Sequence, residues 1–146
     1  MSLQLISTIN SPEATARDLD RSAHNAVRLA KRSVAALPKW RLMRVLTYIE
    51  TNIGGPITLA NLAATAGLSR MYFAKQFRAT TGFRPHEYVL RKRVERAQQL
   101  LATTSDALVD IALTVGFQTQ AHFTTVFKNI TGSTPYQWRR EQPKIA

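Results

Sequence analysis

The sequence of 146 residues predicts an all-α fold: two helix-turn-helix subdomains joined by a long connecting helix and preceded by an N-terminal helix. Three observations predict it. Apolar residues recur at spacings of three and four along the chain, and no stretch alternates convincingly enough for a strand. Ser, Thr, Pro and Gly fall where helices must begin and end. The chain also repeats itself after about fifty residues.

The elements follow in order. Ser11-Pro12-Glu13 supplies an N-cap, a proline at the first helical position and an acid in the first turn. It opens a helix with Leu19, Ala23, Ala26, Val27, Ala30 and Val34 on one stripe, ending before Pro38. A second helix runs from about Lys39 to Asn52, with Leu42, Val45, Leu46 and Ile49 inward, and stops at Gly54-Gly55-Pro56. Thr58 caps a short third helix over residues 59–66, broken at Gly67. Ser69 caps a fourth through Thr80, with Phe73 and Phe77 facing the core and Gly82 following as its left-handed stop. Pro85 then opens a long helix to about Ala102, inward at Val89, Val94, Ala97, Leu100 and Leu101.

The repeat covers the second half of the chain. Leu62-Ala63 with Ala66-Gly67-Leu68 recurs as Ile111-Ala112 with Val115-Gly116-Phe117, an offset of 111 − 62 = 49. After a slip of one residue the offset is 50, carrying Phe73 to Phe123, Phe77 to Phe127, Arg78 to Lys128, Thr81 to Thr131, Gly82 to Gly132 and Pro85 to Pro135. Each copy is a short helix, a turn at glycine, a second helix with two phenylalanines on one face, then Gly and Pro opening a third helix. That is a helix-turn-helix of homeodomain-like type. The expected organisation is therefore an N-terminal extension or linker over 1–38, a first subdomain with the connecting helix over 39–104, and a second subdomain over 105–146.

Composition bounds the function. The apolar content of 45% is enough for a packed core, which excludes wholesale disorder. The absence of cysteine excludes a disulfide scaffold, a thiol nucleophile and a thiolate zinc site. His24, His86 and His122 are scattered with no ligand-like spacing, so no catalytic residue, metal or cofactor is expected. No apolar run approaches the roughly 18 residues of a membrane helix and no signal-peptide pattern opens the chain, so the expected location is the cytoplasm.

Charge points to a polyanion. Twenty Lys and Arg against nine Asp and Glu give a net charge of +11, and +8 of it lies in residues 39–104. Residues 1–38 carry +2 and residues 105–146 only +1. A connecting helix of 18 residues, 85–102, is about 27 Å long. Adjacent major-groove faces of B-DNA lie about 34 Å apart, so one monomer can present two reading helices to neighbouring segments of one duplex, with some DNA bending.

The repeated motifs resemble the DNA-binding domain of the AraC/XylS family of bacterial transcription regulators. The signature region is Ile111-Ala112, Gly116-Phe117, Thr119, His122-Phe123, Phe127-Lys128, Gly132, Thr134-Pro135 and Trp138-Arg139, and the likeness extends over residues 39–141. The resemblance implies a seven-helix domain that binds promoter DNA as a monomer unit and activates transcription through RNA polymerase. It also implies a ligand-sensing or dimerisation domain, for which residues 1–38 are too few, so the chain is either a stand-alone regulator or the C-terminal part of a longer protein. Three positions depart from the pattern: Arg84 replaces a small hydroxyl cap and either leaves the cap to another group or reaches a phosphate, Thr125 stands where relatives carry Arg, and Trp138 replaces Tyr.

The expected DNA-binding residues follow from the faces left free by the phenylalanines. On the first reading helix they are Ser69 at the cap, then Arg70, Met71, Ala74, Lys75 and Arg78; Arg and Lys suit the guanine O6/N7 edge, while Met71 and Ala74 suit thymine methyls. Arg78 lies further along, where phosphate contact is expected. The bland alternatives are a partly core Met71 and a merely solvated Lys75. On the second reading helix the residues are Thr119, Gln120, Ala121, Thr124, Thr125 and Lys128, types that read sequence with little charge. His122 is expected to be packed or phosphate-facing, and Lys128 and Arg139 to meet the DNA backbone. The Arg91–Arg93 run is open between a backbone contact and a solvated helix face. An RNA polymerase adaptor with weak DNA contact is the competing reading, and residues 12–37 suit a linker helix, an oligomerisation helix or a support for the first subdomain equally well.

Overall fold

The computed structural model describes residues 35–143, in which seven α-helices follow one another and no strand occurs among the described residues. They are α1 (Lys39–Thr51), α2 (Leu59–Ala66), α3 (Arg70–Thr81), α4 (Pro85–Thr103), α5 (Leu108–Thr114), α6 (Gln120–Thr131) and α7 (Pro135–Glu141). The expected helix ends shift by one residue, to Thr51, Thr81 and Thr103, within the range over which helix ends fray. The helix expected before Pro38 lies outside the described residues except at its last three positions. Residues 35–37 are not helical, and at Leu37 the following proline disfavours the α conformation. Leu37 is instead buried, and its N–H donates to Thr80 Oγ1 at 2.8 Å.

Side-chain hydroxyls start most of these helices. Thr58, Ser69, Thr119 and Thr134 each accept from the backbone N–H three residues on, at 3.1, 3.3, 3.1 and 3.1 Å. Thr134 and Gln137 complete a reciprocal capping box. The connecting helix α4 differs: Arg84 makes no side-chain cap, and Pro85 at the first position removes one of the free donors instead.

Two apolar clusters hold the fold together. Val45, Ile49, Leu62, Ala63, Ala66, Phe73 and Phe77 build the first, and Ile111, Ala112, Val115, Phe117, Phe123 and Phe127 the second. The α4 helix serves both, giving Val89 to the first and Val94, Ala97 and Leu101 to the second. All four phenylalanines of the repeat are fully buried, so truncating any of them costs about 3–5 kcal/mol. The repeat also extends further than the glycines and prolines: Phe77 meets Tyr88 edge-on at 5.2 Å, and fifty residues later Phe127 meets Trp138 edge-on at 6.2 Å. Trp138 is thus a working substitute for a tyrosine.

Candidate nucleic-acid interface

The two turns are built alike. Gly67 and Gly116, with φ of +70° and +99°, provide the left-handed step that brings α2 onto α3 and α5 onto α6. With Phe73 and Phe77 buried, the opposite face of α3 presents Arg70, Met71, Lys75 and Arg78, all exposed, and Ala74 half-buried. Met71 is 73% exposed, so it is not part of the core. Tyr72, exposed beside Phe73, belongs to the same surface and was not among the expected residues. Its signal in the sequence is its repeat partner fifty residues on, His122.

On α6 the expected residues also lie together. Gln120, Ala121, Thr125 and Lys128 are exposed, Thr124 is half-buried, and Thr119 caps the helix. The Thr125 hydroxyl donates to the Ala121 carbonyl at 3.1 Å, which turns it back toward its own helix. His122 is exposed and sets its ring edge against Phe117 at 5.4 Å, so one side of the ring is packed and the other is open.

The structure corrects the reading of several cations. Arg93 neither lies free on a helix face nor points outward: Nε donates to Ile53 O at 3.1 Å and Nη2 to Gly55 O at 2.7 Å. Burial pulls its pKa below the usual guanidinium value. Arg139 is likewise turned inward, donating to the carbonyls of Leu101, Asp106 and Thr104 at 3.2, 2.7 and 3.3 Å. It thereby closes the end of α4 and the loop beyond, and the expected DNA-backbone contact is replaced by this internal one. Arg41 donates to Ala66 O beside the first turn.

The rest of the basic run is paired. Arg91 faces Glu87 at 3.5 Å and covers the Phe83 ring, and Lys92 meets Glu95 at 3.2 Å. Burial works against the Lys92 ammonium, but its hydrogen bond to Glu95 and the charges of Tyr88, Glu95 and Glu50 hold its pKa above the ordinary lysine value. Arg70, Lys75, Arg78 and Arg84 make no ion pair among the described residues. Lys75, Arg78, Arg84 and His86 line a cavity of about 380 Å³ between α2, α3 and the start of α4, together with Leu59, Leu62 and Val89. Exposed cations also stand elsewhere, Lys39 and Arg44 on α1 and Arg96 on α4, but the group around this cavity is the one beside α3.

Residues 62–141 match a family model described as a helix-turn-helix domain. A crystal structure of a transcriptional regulator with an AraC-type DNA-binding domain, from Chromobacterium violaceum, is 34% identical and covers 71% of this chain and 95% of its own, with a TM-score of 0.66. The chain belongs to the AraC-type helix-turn-helix family. Relatives in this family are named as helix-turn-helix-type transcriptional regulators, among them MtrA of Neisseria gonorrhoeae, 35% identical over 72% of this chain and 36% of its own.

Two further relatives frame it. The DNA-binding domain of AdpA, a global transcriptional factor solved in complex with a target DNA, is 29% identical over 68% of this chain and 89% of that one, with a TM-score of 0.65. The probable transcriptional regulator LumQ of Photobacterium leiognathi is 30% identical over 143 residues, 94% of this chain. The AraC-type chain spans 58% of the length of LumQ. Among the described residues no helix is long and apolar enough to cross a membrane, and no group of acidic and histidine side chains is arranged to hold a metal ion.

Proposed function

We propose that this regulator reads double-stranded promoter DNA sequence-specifically by placing α3 and α6 in two adjacent major-groove segments, and that it activates bacterial transcription in the cytoplasm with RNA polymerase as its protein partner. The observation that supports this reading most directly is the duplication: two capped helices with outward polar faces, carried on one α4 helix of 19 residues, about 28 Å long. Subdomain boundaries at 39–104 and 105–146 follow from the same duplication, and a sensing domain upstream of residue 1 is part of the proposal if the chain is a fragment.

The roles divide by charge. Arg70 and Lys75 read bases from the N-terminal half of α3, with Met71 and Ala74 against thymine methyls and Ser69 at the cap. Arg78 and Arg84 bind phosphates and set the register. On α6, Gln120, Ala121, Thr124 and Thr125 read with hydrogen bonds and methyls, Thr119 supports the cap, and Lys128 takes a phosphate. Polymerase binding as the main activity is a second reading, favoured by the exposed apolar pair Val109 and Leu113 on α5. Footprinting with and without polymerase separates them. Protection of two adjacent major-groove segments by the protein alone supports the proposal, and protection that appears only with polymerase supports the adaptor.

A further inference from the structure

Three contacts meet at one point between the two apolar clusters. Arg93, midway along α4, grips the α1–α2 turn through the carbonyls of Ile53 and Gly55, at 3.1 and 2.7 Å. The same turn touches the second subdomain: a Cβ on Gly54 would lie 2.6 Å from the Thr114 carbonyl oxygen. From the other side, a Cβ on Gly116 would lie 2.5 Å from Ile53 O and 2.7 Å from Arg93 Nε. The first subdomain's turn, the second subdomain's turn and the guanidinium are therefore stacked with no room for a methyl group.

A second register in the sequence places this arginine. Leu42, Val45 and Ile49 of α1 align with Val94, Ala97 and Leu101 of α4 at an offset of 52, which brings Arg41 onto Arg93. Arg41 bonds the Ala66 carbonyl beside Gly67, inside its own subdomain. Arg93 stands in the same relation to Gly116, beside the second apolar cluster, yet its hydrogen bonds cross to the α1–α2 turn beside the first. The equivalent position thus carries an internal clamp in one copy and a cross-clamp in the other. Without the cross-clamp, α4 and the packing of two glycine turns would be left to hold the two reading helices in phase. With it, a planar fork of fixed geometry adds a tie that a lysine, a single flexible point charge, cannot reproduce in full.

We infer that Arg93 is a positioning residue that sets the separation and rotation of α3 and α6, and so determines the spacing between DNA blocks that the protein accepts. This rests on the proposal that both helices enter DNA. One base pair of spacing is about 3.4 Å of rise and about 35° of rotation, so a small displacement at this junction is enough to change the preferred site.

The test uses the full chain and begins without DNA. The sequence contains no cysteine, so Ala79→Cys and Asn129→Cys place two spin labels at exposed, repeat-equivalent positions on α3 and α6. Electron-electron distance measurement should give one narrow distribution in the parent and a broadened one in Arg93→Gln, with circular dichroism confirming the fold. Arg93→Lys, able to keep one of the two bonds, should broaden it less and stands in if Arg93→Gln does not fold. On a selected DNA site, inserting one base pair between blocks should weaken the parent about tenfold, a penalty the size of one mismatched pair, and weaken the Arg93 variant about threefold or less. An unchanged distribution in a folded variant, or an equal spacing penalty, overturns the inference. A parent that selects no DNA site at all refutes the functional proposal instead, and the DNA-free distances still decide the clamp.

Discussion

Gly116→Ala should be far more damaging than Gly132→Ala, although both positions have positive φ, +99° and +87°. Forcing an alanine into left-handed backbone costs about 1–2 kcal/mol, and the stiffer unfolded chain returns up to about 1 kcal/mol. At Gly132 nothing lies within 4 Å of the new methyl group, so the balance ends there, near 1 kcal/mol. At Gly116 the methyl would stand 2.5 Å from the Ile53 carbonyl oxygen and 2.7 Å from Arg93 Nε, and both must give way. Displacing Arg93 forfeits two hydrogen bonds from a charged donor, about 1.5–3 kcal/mol each, which with the backbone term makes a total near 4–7 kcal/mol. Thermal unfolding followed by circular dichroism reads the difference. At about 4 °C per kcal/mol, Gly116→Ala should lower Tm by about 15 °C or more and Gly132→Ala by about 5 °C or less. Equal losses at the two sites would refute the packing of the two turns.

Three other outcomes follow from the site. Lys75→Ala and Arg70→Ala should each weaken DNA binding by about 1–3 kcal/mol in titrations at fixed salt, whereas Thr125→Ala should cost little, because its hydroxyl already donates to Ala121 O; a Thr125 variant ranked worst would reverse the division of labour. Arg139→Ala should destabilise the fold by about 2–4 kcal/mol in urea denaturation, since three carbonyls lose one donor, while leaving the salt dependence of binding unchanged. The log-log salt slope itself should fall between about −3 and −5, set by Arg78, Arg84 and Lys128 on phosphates with or without Arg70 and Lys75, and a flat response would remove the electrostatic argument.

Much of this fold can be read from local chemistry. Hydroxyl caps at Ser69 and Thr119, phenylalanines four residues apart and glycines at the turns are short-range signals, and their recurrence at 49 and 50 residues multiplies their weight. The outward faces of α3 and α6 follow by subtraction from the buried ones. The arginines are different. Arg41, Arg93 and Arg139 count toward the net charge exactly as Arg70 does, but each is aimed at carbonyl groups that only folding brings near, 25 to 40 residues away. Four of the eleven cations in residues 39–104, namely Arg41, Arg91, Lys92 and Arg93, are occupied within the protein. Of the other seven, Arg70, Lys75, Arg78 and Arg84 stand on the α3 side, Lys39 and Arg44 on α1, and Arg96, bonded to Gln99, on α4. The offset of 52 between α1 and α4 was available in the sequence as a hint for Arg93; for Arg139 no comparable signal exists, because its repeat partner is Val89.

The central claim is that one chain reads two DNA blocks through α3 and α6. Selection of binding sites from a random duplex library by the full chain tests it most directly. Two enriched blocks are expected, with centres about one helical turn, 10–10.5 base pairs, apart, and enrichment should be lost in one block alone when Lys75 is replaced by alanine. A single enriched block, or no enrichment over the starting library, would contradict it.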